Sequence, residues 1–280
     1  MLKPGIMKPI LYFLSACILL VACKKDKLPK PTPVPPPVSQ VFLKDVVIQN
    51  LPSPYYHFEY DNDGHFKKAS FSSGQAVYDV FYSGNRLNRM QNTSTVNKDL
   101  IDYQFDAGGK VAVIRISNQF SVVYRRAFLD YDADQRLNKI DWEWKLDAGG
   151  FAQEQTLSFT YYSDGNLKEL RDEKFFISGR QNALVLIDRF EGYDDKTNVE
   201  GFSLLHGFDQ HLVLLPGVQL QRNNPAKNIR TGDGVHYTIN YTYTYNQQKC
   251  PTHKIADMLI ESGDHMGQRF ELNNWFSYYE

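Results

Sequence analysis

The chain has 280 residues, of which 42% are hydrophobic and 22% charged, a balance that allows a packed core and excludes wholesale disorder. Its formal net charge of -1 gives no global attraction for nucleic acid or anionic lipid. Eighteen Tyr and eighteen Phe favour strands, where flat side chains pair across a pleated face.

Residues 1–22 read as a signal peptide. Lys3 and Lys8 supply the positive n-region, and Ile10–Leu20 is an apolar stretch too short to span comfortably as a mature membrane helix. Met7 is a second candidate start. The stretch ends in Leu20-Val21-Ala22-Cys23, which resembles the bacterial lipobox. The resemblance implies that Cys23 is acylated with palmitate-type chains, becomes the mature N-terminus and partners a membrane. Several acyl chains on one residue give a stable anchor. Losing residues 1–22, with their two lysines, takes the charge from -1 to -3. Cys17 then belongs to the leader and Cys250 has no intramolecular partner, so neither a disulfide framework nor a Cys metal site is expected.

Residues 23–40 are the lipidated Cys and a Pro-rich tether. Pro29, Pro31, Pro33, Pro35, Pro36 and Pro37 favour polyproline II, a semi-rigid spacer. Lys24-Lys25-Asp26 resembles the charged segment after the lipidated Cys of Bacteroidetes surface lipoproteins.

Residues 41–280 read as a single antiparallel β domain. Short units recur: aromatic, any residue, aromatic, then Asp or Ser and a turn. They include Phe58–Gly64, Val80–Asn85, Tyr103–Gly109, Leu129–Asp134, Leu146–Gly150 and Phe159–Leu170, with a degenerate copy at Tyr193–Lys196. Spacings of 22, 23 and 26 residues separate Tyr60, Tyr82, Phe105 and Tyr131, the period of a repeated hairpin. In the unit at Phe159, Asp164-Gly165 reads as a two-residue turn. After each turn the apolar pairs Phe66/Ala69, Leu87/Met90, Val111/Ile114, Leu137/Ile140 and Leu167/Leu170 are spaced by three, which requires a bulge to keep both on one face.

These units resemble the YD repeats of Rhs-type proteins, with Tyr162–Leu167 and Tyr131–Leu137 carrying the likeness. With the lipobox they resemble uncharacterised Bacteroidetes lipoproteins of porin-like β fold, a likeness that implies an outer-membrane or envelope location and no particular activity. The expected fold is mostly β: one curved antiparallel meander of hairpins, an open sheet or barrel-like, with one short helix near 203–214. Leu204, Leu205, Phe208, Leu212 and Leu215 fall at the helical spacing that suggests it, and Pro216-Gly217 is its stop. Asn223-Asn224-Pro225 is a turn, also found in those lipoproteins after their helical insert. Three strands close the chain, and Tyr237, Ile239, Tyr241, Tyr243 and Tyr245 share one face of the first. Charges on the second face, such as Lys68, Arg89 and Lys139, argue for a soluble sheet and against a membrane pore.

Trp142 and Trp144 share a strand face and would stack sugar rings if exposed, or form core if buried. Asp61-Asn62-Asp63-Gly64 has the first ligands of a calcium loop, but Ser72 stands where the acidic twelfth ligand belongs, so it reads as a solvated turn. The histidines form no HExxH, and no nucleophile elbow, phosphate loop or dinucleotide fingerprint is present. These readings favour a non-enzymatic envelope protein, without cofactor or metal, binding a glycan, peptide or envelope protein. A glycan hydrolase and a purely structural element are the alternatives.

Overall fold

A computed structural model describes residues 41–95, 98–175, 182–205 and 211–280. The leader, Cys23, the tether and Phe208 lie outside them. Sixteen antiparallel strands form one closed barrel in sequence order. They are β1 (Leu43–Ile48), β2 (Tyr56–Tyr60), β3 (Phe66–Phe71), β4 (Ala76–Ser83), β5 (Arg86–Asn92), β6 (Leu100–Phe105), β7 (Val111–Ser117) and β8 (Val123–Tyr131). Then come β9 (Leu137–Lys145), β10 (Phe151–Tyr161), β11 (Leu167–Lys174), β12 (Leu184–Glu191), β13 (Lys227–Gly232), β14 (Tyr237–Tyr245), β15 (Pro251–Ile260) and β16 (Arg269–Tyr278). β16 pairs with β1, so the meander closes and no sheet edge remains.

The Tyr-Asp hairpins all turn at one end of the barrel and share a geometry. Across the turns, Tyr60 pairs with Phe66, Tyr82 with Leu87, Phe105 with Val111, Tyr131 with Leu137 and Tyr161 with Leu167, each after a register shift. The extra residue on the return strand is the bulge that the three-residue spacing predicts. It keeps Phe66 and Ala69, or Leu167 and Leu170, facing inward together. The turn at Phe159 differs from the two-residue form: Gly165 N donates to Tyr162 O (3.0 Å), Tyr162 N donates to Asn166 O (2.8 Å), and Gly165 alone takes positive φ (87°). The same left-handed position holds Gly64 and Gly109, but Gln135 (63°) in the unit that lacks glycine. Leu146–Gly150 is the β9–β10 turn and lies at the opposite end, outside the series.

Hydroxyls stitch the Tyr-Asp end. Tyr60 donates to Leu43 O (2.9 Å), Tyr131 to Val111 O (3.0 Å), Tyr161 to Leu137 O (2.5 Å), Tyr193 to Leu167 O (2.6 Å) and Tyr278 to Pro251 O (2.6 Å). Each ties the end of one strand to the start of the preceding strand. The following acidic residue closes the turn: Asp61 accepts from Asp63 N and His65 N, Asp106 from Lys110 N, and Asp132 from Arg136 N.

Polarity alternates across the wall. The inward face of β2–β9 is an aromatic and aliphatic core that includes Phe58, Tyr78, Met90, Ile101, Ile114 and Ile140. The outward face carries cross-strand ion pairs, among them Arg89–Asp102 (2.6 Å), Arg126–Glu143 (2.5 Å), Lys139–Asp130 (3.4 Å) and Arg189–Glu169 (2.9 Å). A lipid-facing wall needs the opposite arrangement.

The β12–β13 connection folds back into the barrel. Over the stretch 203–214 where a short helix is expected, the described residues show a 3-10 turn at Gly201–Leu204 and an irregular segment at 211–215, and residues 206–210 lie outside them. Leu212, Val213 and Leu214 are all buried, because the barrel surrounds this segment on every side. Phe202 packs edge-on against Tyr56 and Phe58 across the interior (4.8 and 5.0 Å between centroids). The Asn223-Asn224-Pro225 turn anchors the return: Asn166 Oδ1 accepts from the Arg222 and Asn223 amides, both at 3.0 Å, and Asp194 accepts from Asn224 N and the Tyr245 hydroxyl.

Candidate functional site

The connection leaves a cavity on either side of itself. Ser203, Leu204, His211 and Val213 face one, Phe202, Leu214 and Leu215 the other, and Leu205 touches both. The first, of about 330 Å³, lies toward the end opposite the Tyr-Asp turns and is the charged one.

Its walls follow from strand register. The inward alternation Leu184, Leu186, Asp188, Phe190 puts a carboxylate where an apolar residue would continue the pattern. Asp188 pairs with Leu170 on one side and Arg230 on the other. Arg230 donates to both Asp188 oxygens (Nε 2.9 Å, Nη2 2.5 Å), and its guanidinium lies 5.0 Å from the Tyr237 ring centre. Burial pushes the Tyr237 phenol up to about 12, against the pull of Arg230. On β11, Asp172 accepts from Gln155 Nε2 (2.8 Å) and sits 3.5 Å from Lys174 Nζ. On β8, Arg125 is only 3% exposed, donates to Glu154 (2.7 Å) and stacks on the Trp142 ring at 4.3 Å. Three cations and two carboxylates therefore line one chamber beside an indole.

His211 closes the chamber from the connection. Its Nδ1 is 3.0 Å from the Tyr78 hydroxyl and its Nε2 2.7 Å from that of Tyr124, which donates to Asp99 Oδ2 at 2.5 Å. Tyr124 gives its proton to Asp99, so His211 Nε2–H donates to the Tyr124 oxygen, and Nδ1 lies within hydrogen-bonding distance of the Tyr78 hydroxyl. Both ring nitrogens are thus engaged in holding the connection.

The two indoles have separate fates. Trp142 is 6% exposed, beneath Arg125 in the chamber wall; Trp144, two residues nearer the barrel end, is 45% exposed and meets Tyr124 edge-on at 5.3 Å. They therefore do not form one flat platform. The tyrosines of β14 face inward and are half-buried. Asp61, Asp63 and His65 bring donor atoms within 4.8 Å of one another on the surface. Asp61 is already the acceptor of its turn, and its carboxyl lies below the usual range, first through the His65 backbone N–H. Asp172, Lys174, Asp188 and Arg230 escape sequence reasoning because an isolated polar strand face reads as solvent-facing. The signal that could have found them is a charge interrupting an apolar alternation.

No protein-family model and no curated protein sequence matches the chain. Its fold is similar to that of two solved structures: a porin-like protein from Bacteroides uniformis ATCC 8492 (TM-score 0.56, 14% identity, 87% of this chain and 97% of that one) and a porin-like protein from Bacteroides vulgatus ATCC 8482 (0.55, 14%, 86% and 99%). At this identity the likeness is one of fold: the chain has the porin-like β architecture of these Bacteroides proteins.

Proposed function

We propose that the chain is an envelope lipoprotein, anchored through Cys23, whose barrel is a non-enzymatic binding module for a small polar ligand, a glycan or a peptide end. The observation that carries this reading is the charged chamber. Buried ion pairs are a poor source of stability, since desolvation offsets most of their attraction, and apolar residues of similar volume would fill the space as well. Their presence beside Trp142 is accounted for by a ligand whose polar groups they meet.

Binding is favoured over glycan hydrolysis by the way the carboxylates are used. Glycoside cleavage needs a carboxylic acid free to protonate the leaving oxygen, and a second carboxylate facing it. Both oxygens of Asp188 are taken by Arg230, and Asp172 is held by Gln155 and Lys174.

The test is an oligosaccharide and peptide array probed with the full chain, followed by titration of the hits and product analysis. Arg230→Met and Asp188→Asn should abolish the binding found. Binding unchanged in both variants refutes the chamber as the site, and release of reducing sugar refutes the non-enzymatic reading. For the anchor, Cys23→Ser should move the protein from the membrane to the soluble fraction; full membrane retention counts against lipidation.

A further inference from the structure

The second cavity, of about 550 Å³, differs from the first in kind. β1–β5 wall it with Leu43, Phe58 and Phe66, and the connection closes it with Phe202, Leu214 and Val218. Among the described residues, none of the side chains lining it carries a charge, and Leu205 is the only residue it shares with the charged chamber. Its polar groups are few: chiefly the amides of Asn198, Gln219 and Gln221 and the hydroxyls of Tyr60, Tyr82 and Thr197. Several of these are already engaged: Tyr60 donates to Leu43 O, Gln221 Nε2 donates to the Tyr193 hydroxyl at 3.1 Å, and Asn198 donates through Nδ2 to Asn224 Oδ1 at 3.3 Å while its Oδ1 accepts from Glu200 N at 2.9 Å.

Size and lining together restrict the occupant. The volume falls within the roughly 300–1,000 Å³ typical of small-molecule sites, and an apolar cavity holds water poorly. The barrel wall surrounds it, so a folded partner cannot enter, whereas a narrow flexible chain can. A carboxylate or ammonium buried there would lose its hydration without gaining a counter-ion. We infer that this cavity is a binding site for a single aliphatic chain with an uncharged polar head, the head meeting the Gln219 and Gln221 amides and the chain lying along Phe58, Phe66 and Phe202. The site is independent of the charged chamber and of whatever that chamber binds.

The test uses the full chain carrying Cys23→Ser, which retains every barrel residue. A series of 1-monoacylglycerols of increasing length, each below its micelle concentration, is titrated by calorimetry. One saturable site is expected. Affinity should rise about fourfold per methylene, the equivalent of about 0.8 kcal/mol, until the cavity is full, and then level off. Val218→Trp, which fills the cavity, should weaken binding more than roughly tenfold. Phe202→Ala, which enlarges it, should move the levelling point to longer chains. Absence of saturable binding overturns the inference. So does affinity that climbs with length without levelling, because that behaviour belongs to surface adsorption. A fatty acid that binds more tightly than the matched monoacylglycerol overturns the assignment of an uncharged head.

Discussion

Alkaline pH should unfold the barrel cooperatively, because the stitches at the Tyr-Asp end depend on protonated phenols. Burial raises all five: Tyr60, Tyr161, Tyr193 and Tyr278 lie well above the ordinary value of 10.0, and Tyr131 is pushed up to about 12 by burial and then by Asp106. A phenol with a raised folded pKa keeps its proton in the barrel after the unfolded chain has lost it. Its contribution is therefore fully present below pH 10 and is lost as pH rises toward the folded value. Each unit of pH in that window removes at most about 1.4 kcal/mol per phenol, and about 1 after allowing for solvent at the barrel end. Five such groups remove about 5 kcal/mol per pH unit, so a barrel stable by about 10 kcal/mol unfolds within about two units above pH 10. Phenolate absorbance near 295 nm and far-UV circular dichroism, followed together, provide the assay. The two should change in one transition, and Tyr161→Phe should lower its steepness by about one proton. Ionisation of these tyrosines near pH 10 with the strand signal intact would refute the reasoning.

Three further outcomes follow from the same geometry. Gln135→Gly should stabilise the barrel by about 0.5–1 kcal/mol, seen as a rise of roughly 1–4 °C in Tm, because Gln135 holds a left-handed φ of 63° that glycine adopts without strain. Gly165→Ala should cost about 1–2 kcal/mol in urea unfolding, since its φ is 87° and a Cβ there would lie 3.1 Å from Arg222 Cδ. Arg230→Met should cost about 3–5 kcal/mol by leaving Asp188 buried without its cation, while Asp188→Leu/Arg230→Met should return to within about 1 kcal/mol of the parent; a double variant as unstable as the single one would show that the pair is there for stability.

Local features were legible in the sequence and global ones were not. The strands, the hairpin series and the bulge after each turn could all be read, because each is set by residues within a few positions of one another. At Phe159 the likeness carried by Tyr162–Leu167 stands one residue out of step with the structure: Tyr161, not Tyr162, is the counterpart of Tyr60, and Tyr162 instead donates outside the series to Phe190 O (3.0 Å). Two adjacent tyrosines satisfy the pattern equally well until the bulge fixes the register. Leu204, Leu205, Leu212 and Leu215 suggested a helix because periodicity assumes one buried face. A segment inside a barrel has no exposed face, so Leu212, Val213 and Leu214 are buried in succession and the spacing carries no information about their conformation. The pairing of β1 with β16, which decides between sheet and barrel, joins residues more than 220 positions apart and has no local trace.

The same separation explains why the interior became two chambers and not a channel. A sixteen-stranded membrane barrel leaves an aqueous lumen, because its apolar residues face lipid and its polar residues face water within. Here the alternation is inverted, and β2–β9 fill their half of the interior with aromatic and aliphatic side chains. A lumen lined this way would expose a large apolar surface to water, so something must cover it. The β12–β13 connection does so with Phe202, Leu212 and Leu214, and is held in place at His211 by Tyr78 and Tyr124, and at its exit by Asn166 and Asp194. It covers the interior incompletely. What it leaves open faces the apolar strands on one side and the charged positions of β8 and β11–β13 on the other. The barrel thus acquires two unlike cavities from one inserted segment, and any ligand of either must be small enough to fit beside that segment rather than pass through the barrel.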